Sequence, residues 1–314
     1  MDPHTTSVAA RAVSPAGKRA ARVTHASRVI DEASGVTKGE LADYFDRVAP
    51  LLIPHLATRP VALVRAPEGV VGFQFFQKHA DATELPGVIL LDPSLDPGHE
   101  ALLRIKDKRG LASAAQMNVI ELHTWNMTTR SIPKPDRMIF DLDPGEGVDW
   151  SAVREAAQLM RTYLQELGIR GFLKTSGGKG VHVVVPIRAQ YEWQMVKQFA
   201  HAFVMHLVKV VPQRFVAKSG ARNRVGKIFI DYLRNGWGAT TVAAWSPRAR
   251  PGLGVSVPID WSELDTVESG AHWTVRNVEP RIERGNAPWD EYAGTRQTLA
   301  KAMKALAFKP AAGA

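Results

Sequence analysis

Two carboxylates dominate the chemistry this sequence can perform. Asp141 and Asp143 stand two residues apart at the end of an apolar run, Arg137-Met-Ile-Phe-Asp-Leu-Asp143, which reads as a buried strand stopped by Pro144-Gly145. Side chains alternate along a strand, so both carboxylates point to one face. Two like charges on an apolar strand repel each other and are costly to desolvate; a divalent cation removes that cost. Hard oxygen ligands of this kind suit magnesium or manganese. The plainer alternative is that one aspartate caps the turn and the other is solvated at the strand end. Asp231 closes a second apolar strand, Ile228-Phe-Ile230, and is the third acid that a two-metal site needs. Whether the two strands are neighbours does not follow from the sequence.

A glycine-rich turn, Ser176-Gly-Gly-Lys-Gly180, lies between these acids along the chain. Glycines allow close backbone approach to phosphates, and the Lys179 ammonium neutralises them. It is not a Walker A loop, because no Ser or Thr follows Lys179 and a strand rather than a helix comes next. An ordinary hairpin remains the alternative. His182, two residues beyond, is either a hydrogen-bond donor to phosphate or a satisfied structural histidine.

The elements that must position these groups alternate between strand and helix patterns, which implies an α/β or α+β fold. Asp149 reads as the N-cap of a helix with Val153, Ala157, Met160, Leu164 and Leu167 on one stripe, ending at Gly168. Strands are expected at Leu173–Thr175 and Val181–Val185, a long helix over Tyr191–Val210, and a strand over Lys227–Tyr232 that turns at Arg234-Asn-Gly236. Residues 1–25 read as a disordered basic arm, 26–300 as the folded domain and 301–314 as a flexible tail.

Composition sets the outer bounds. At 314 residues, with 45% hydrophobic and 23% charged residues, the chain can bury a substantial core. No run of apolar residues is long enough for a membrane span. The absence of cysteine excludes disulfides, a thiol nucleophile and Cys-rich zinc sites. It fits a reducing compartment, and with no secretory signal core the expected location is the cytoplasm, at the nucleoid. A net charge of +9 favours polyanionic partners.

Taken in order, Asp141-Leu-Asp-Pro-Gly-Glu-Gly147, Ser176-Gly-Gly-Lys-Gly-Val-His182 and Ile228-Phe-Ile-Asp-Tyr232 resemble the three motifs of the archaeo-eukaryotic primase superfamily. The chain is most similar to the polymerase domain of bacterial ligase D, over roughly residues 26–297. The resemblance includes Arg28-Val29 with Gly35-Val-Thr-Lys38, Phe75-Phe-Gln-Lys78, Glu121-Leu-His-Thr-Trp125, Lys218-Ser219, Gly226-Lys227 and Ser246-Pro-Arg248.

The resemblance implies an RRM-like mixed sheet flanked by helices, with an N-terminal αβ unit packed on it. It also implies primer extension at breaks and short gaps in non-homologous end joining. Asp141, Asp143 and Asp231 would ligate two Mn2+ or Mg2+ ions. Ser176, Lys179, His182 and Arg248 would hold the incoming nucleoside triphosphate, with His123 facing its sugar. Arg224 and Lys218 would serve the phosphates or the primer. Phe75 and Phe76, with Lys78 beside them, would lie against the template, although at least one of Phe73, Phe75 and Phe76 is expected in the core. Lys38 and Arg28 would bind a downstream 5′-phosphate. The implied partners are DNA ends and gapped primer-template, a Ku-type end-binding protein and an ATP-dependent ligase, with no membrane.

Two other readings compete: a free-standing primase-polymerase, and a DNA-end-binding module with vestigial catalysis. The three retained aspartates argue against the second. No Lys-x-Asp-Gly tetrapeptide is present, so nick sealing is not expected of this chain, and it reads as an excised domain or a short relative whose ligase lies elsewhere.

Overall fold

The computed structural model describes residues 23–81, 85–130 and 134–311. A small hairpin, Val29–Asp31 (β1) with Val36–Thr37 (β2), leads into the helix Lys38–Leu56 (α1). Thr37 and Glu40 cap that helix reciprocally, each side chain accepting from the other's backbone N–H, which satisfies two donors that a helix start leaves open. Next come Val61–Arg65 (β3), Phe75–Gln77 (β4), the hairpin Val88–Leu90 (β5) with Leu103–Ile105 (β6), the helix Lys108–Gln116 (α2) and Val119–Trp125 (β7). The central part is Arg137–Pro144 (β8), Trp150–Glu166 (α3), Phe172–Thr175 (β9), Val181–Pro186 (β10), Trp193–Val210 (α4), Phe215–Val216 (β11) and Ile228–Asp231 (β12). Thr240–Val242 (β13), Pro258–Ile259 (β14), Glu279–Arg284 (α5) and Ala300–Ala305 (α6) complete the chain order.

Two sheets carry the architecture. The larger runs β11-β12-β8-β10-β9-β14, and the smaller β13-β7-β3-β4. In the larger, β8-α3-β9-β10-α4-β12 is a split βαβ unit whose four strands lie antiparallel in the order β12-β8-β10-β9. This is the RRM-like arrangement, and the sheet is mixed because β11 adds in parallel to β12. No helix among the described residues is long and apolar enough to cross a membrane.

Alternation along β8 divides the sheet into an oily face and a polar one. Met138, Phe140 and Leu142 point into the main core, where α3 and α4 bring Val153, Ala157, Met160, Leu164, Phe199 and Phe203. The rings of Phe140 and Phe203 lie 4.8 Å apart. Ile139, Asp141 and Asp143 face away; Ile139 joins Phe172, Val184 and Trp289 in a small separate cluster. Asp149 caps α3 by accepting from the Ala152 N–H at 2.8 Å, and Gly168 follows the helix with φ +69°.

Two expectations are corrected here. The tail does not begin at residue 301: α6 buries Leu299 and Ala302, and the Phe308 ring packs on Phe199 at 5.7 Å. Met303, Leu306 and Phe308 pack against the main core and hold this segment, so the body runs through Phe308. None of Phe73, Phe75 and Phe76 is in the core: Phe73 is 62% exposed, Phe76 45%, and Phe75 is half-buried. The reason is that β4 is the edge of its sheet, paired to β3 alone. Residues 1–22 of the expected basic arm lie outside the described residues; Thr24 donates its N–H to the Gln116 amide oxygen.

Phe140→Ala should cost about 3–5 kcal/mol, the usual price of emptying a fully buried aromatic position, measured by urea unfolding.

Candidate active site

The register of the larger sheet builds one row of ionisable groups. Asp231 on β12 is directly opposite Asp141 on β8, Asp141 is opposite His182 on β10, and His182 is opposite Lys174 on β9. Directly opposed residues share a face, and so does Asp143, two positions along β8. The strand neighbourhood that sequence left open is therefore present, and Asp141, Asp143 and Asp231 converge on one surface.

Their surroundings are cationic and largely dry. His182 Nε2 is 3.3 Å from Asp141 Oδ1. Arg234 Nε lies 3.0 Å from Asp231 and 3.8 Å from Asp141, and Arg224 Nη1 3.3 Å from Asp143. Asp231 also accepts from the Leu233 N–H at 2.9 Å, which fixes its rotamer. Burial, and then the charge of Asp141, raise the Asp143 carboxyl to about 6. Burial likewise raises Asp231. For Asp141 burial acts upward too, but His182 and Arg234 prevail and hold it below the usual carboxylate range. Burial lowers His182 to about 4, with Lys174 adding to the effect, and pushes Lys174 far down.

The donor set fits a hard divalent cation. Asp141 Oδ1 is buried and accepts no hydrogen bond. Beside it stand two carboxyls whose ionisation is resisted by burial and by their neighbours. Added positive charge would relieve all three, and only oxygen donors are offered by the acids.

The glycine turn sits at the start of β10, next to this row. Ser176 Oγ accepts from the N–H groups of Gly178 (3.1 Å) and Gly180 (3.2 Å), so the hydroxyl shapes the loop itself. Gly180 is required by space: a Cβ there would lie 1.8 Å from the Leu142 carbonyl oxygen on β8. Lys179 is exposed at the tip.

Arg248 ties this loop to the smaller sheet. It donates to the Ser176 carbonyl (3.1 Å) and, through Nε, to Glu121 on β7 (3.0 Å). Glu121 also accepts from the Ala249 N–H (2.7 Å), and its Oε2 is 2.6 Å from His123 Nε2. Burial would raise the Glu121 carboxyl, but His123 and Arg248 together hold it at about 2. Phe76 shares this face, its ring edge-on to His123 at 5.3 Å. Phe75 points the other way, stacked on Phe73 and covered by Arg65.

The remaining expected residues are placed as follows. Lys78 donates to the Gly238 carbonyl at 2.9 Å and lies over the Phe76 ring at 6.0 Å. Lys218 is exposed on the loop that leads to Arg224. Lys38 and Arg28 stand apart from the carboxylates, in the N-terminal unit. Lys38 is buried and donates to the Gln116 carbonyl at 2.7 Å; Arg28 donates to the Pro67 carbonyl and the Asn118 amide oxygen.

Three participants were not singled out from the sequence. Arg234 could have been found from its Asp-x-x-Arg spacing to Asp231. Lys174 follows from alternation in the expected strand Leu173–Thr175, opposite His182. Glu121 lay in a quoted motif, without a role; its position two residues from His123 on a strand was the signal.

A family model for the LigD primase-polymerase domain matches residues 37–289. The chain belongs to the LigD primase-polymerase domain family. It is 49% identical over 301 residues to the multifunctional non-homologous end joining protein LigD of Pseudomonas aeruginosa, covering 94% of this chain and 36% of that protein. The LigD protein of Mycolicibacterium smegmatis is 31% identical over 245 residues, 77% of this chain and 32% of its own length. The chain thus spans about a third of the length of these relatives. The solved polymerase domain of Mycobacterium tuberculosis ligase D, in complex with DNA, superimposes with a TM-score of 0.75 at 29% identity, over 84% of this chain and 94% of that one. As a member of this family the chain is a nucleotidyltransferase of the primase-polymerase class, a chemistry that needs divalent metal.

The Glu121 clamp carries a pH signature. Its carboxyl is depressed from 4.5 in the unfolded chain to about 2 when folded, so the stabilisation is complete above pH 4.5 and is lost as pH falls towards 2. The unfolding free-energy difference between wild type and Glu121→Gln should shrink across that window, measured by denaturant titration at stepped pH.

Proposed function

We propose that this chain adds nucleotides, ribonucleotides among them, to the 3′-end of a primer at DNA breaks and short gaps. It would be the polymerase component of non-homologous end joining, acting in the cytoplasm at the nucleoid. The observation that carries the reading is the in-register opposition of Asp231 and Asp141, with Asp143 on the same face and the glycine turn alongside. The DNA complex of the mycobacterial polymerase domain supports the nucleic-acid partner. Ku-type end-binding proteins and an ATP-dependent ligase are the partners this role would require.

Asp141, Asp143 and Asp231 would hold two divalent cations, Mn2+ or Mg2+, which supply charge neutralisation of the triphosphate and a lowered pKa of the attacking hydroxyl. The chain's own residues do the positioning. Lys179 extends from the loop tip to meet the phosphates, while Ser176 keeps the loop's amides in place. Arg248 is fixed from two sides and presents the rest of its guanidinium towards the loop. His182, whose protonation is opposed by burial, would offer a ring N–H to a phosphate oxygen. His123, oriented by Glu121, faces the sugar. Arg224 and Lys218 flank the primer and phosphate side. Exposed Phe76 offers a stacking platform of about 1–3 kcal/mol per base for the template, with Lys78 beside it and Phe75 on the opposite face of the strand.

Lys38 and Arg28 would form a second anion site, for the 5′-phosphate of a downstream strand. Burial and the neighbouring Arg28 charge both lower the Lys38 ammonium, and a bound phosphate would relieve the second of these.

Primer extension on a gapped duplex, with Mg2+ or Mn2+ and ribo- or deoxyribonucleotides in parallel, tests the reading. Asp141→Ala or Asp231→Ala should abolish nucleotide addition while DNA binding, read by fluorescence anisotropy, survives. Normal extension by either variant would sink the two-metal reading. Lys38→Ala should reduce the preference for a 5′-phosphorylated gap over an open template. Equal losses on both substrates would refute the phosphate role.

A further inference from the structure

Away from the aspartate row, the segment beyond β4 assembles a second group of metal-ligand side chains. Asp96-Pro97-Gly98-His99 is a tight turn closed by the His99 N–H donating to the Asp96 carbonyl at 3.2 Å. Proline at the second position and a glycine with φ +87° at the third are the marks of a type II turn, and they put Asp96 and His99 side by side. His79 arrives from a strand extension that bridges to Leu102. His79 Nε2 lies 2.8 Å and His99 Nδ1 3.4 Å from the same atom, Asp96 Oδ2. The two imidazoles stack at 4.8 Å and 7° from parallel, so one ring turns about its Cβ–Cγ bond for both to face a shared ion. One ligand atom from each of the three residues falls within 4.8 Å of both others.

We propose that His79, Asp96 and His99 form a site for a borderline divalent transition metal of the Zn2+ kind, with three protein ligands and one open position. Nitrogen ligands and a carboxylate suit such an ion, and at Zn–ligand lengths of about 2.0–2.1 Å the edges of a tetrahedron measure about 3.3 Å. The two nitrogen–oxygen distances bracket that edge. A local pair from one turn with a third ligand from a neighbouring strand forms one face of the tetrahedron, and solvent beside the exposed His99 supplies the fourth ligand.

The outer partner is also present. Trp237 Nε1 donates to the other carboxylate oxygen, Asp96 Oδ1, at 3.2 Å, which orients Asp96 as outer-shell donors orient metal ligands. Trp237 packs edge-on against Trp125 and Trp193, the latter two buried in a cluster with Leu102 and Met127. Bound metal would therefore fasten the 96–99 turn to the segment that follows Asp231 and to the strand that carries Phe76 and Lys78. The aspartate row offers oxygen ligands to hard ions; this group offers nitrogen as well, and the two should differ in metal preference.

The test is Zn2+ titrated calorimetrically into the chelator-stripped full chain carrying Asp141→Asn, Asp143→Asn and Asp231→Asn, which removes the competing carboxylates. One equivalent should bind, and Co2+ in its place should give the visible absorption of a four-coordinate ion. His99→Ala, at an exposed position where folding is not at risk, should weaken Zn2+ by more than the about 10–100-fold that loss of an outer partner costs. Trp237→Phe should weaken it by about that 10–100-fold. Zn2+ should slow proteolysis at the 96–99 turn in the parent and not in His99→Ala. Equal Zn2+ affinity in the parent, His79→Ala and His99→Ala, or no Zn2+ bound at one equivalent, would overturn the proposal and leave a hydrogen-bonded turn.

Discussion

The arrangement depends on one register, that of β12 against β8. A strand that pairs one residue out of step turns its whole side-chain set to the other face. Here the same alternation that commits Ile228 and Ile230 to the core commits Asp231 to the polar face opposite Asp141. The hydrophobic driving force that seats two isoleucines against α3 and α4 is thus also the force that assembles a cluster of carboxylates. Electrostatic repulsion among the acids opposes that arrangement, and it is tolerated because burial of the apolar neighbours outweighs it.

The second constraint is the joint between the sheets. Glu121, buried on β7, binds a backbone N–H, a histidine and an arginine at once. Arg248 reaches from that carboxylate to the carbonyl of Ser176, so the geometry of the glycine turn is set jointly by both sheets. Positioning of this quality comes from groups that are themselves fully partnered, which is what makes them rigid.

Much of this was legible in the residues. Alternation in Arg137–Asp143 placed two acids on one face; Asp149 announced α3; Gly-rich spacing marked the turn. What sequence could not supply was adjacency between distant strands. Spacing ties Arg234 to Asp231, but its reach to Asp141 follows only from β12 lying beside β8. The phenylalanine triplet misled for a related reason: hydrophobicity predicts burial, but β4 lies at a sheet edge with little to cover it. The C-terminal segment looked like a tail because residues 301–308 carry only a short helix, while Met303, Leu306 and Phe308 packed on the core extend the body past α6.

Arg224 and Arg234 have a consequence for how the site is loaded. Each places a guanidinium on a carboxylate of the acid cluster. The fold therefore carries counter-ions of its own, which offset part of the repulsion among the acids. A cation entering here would exchange with a positive group already in place, rather than fill an empty hole. Any guanidinium that a cation displaced from an acid would stand free beside it, able to pair with an anion instead.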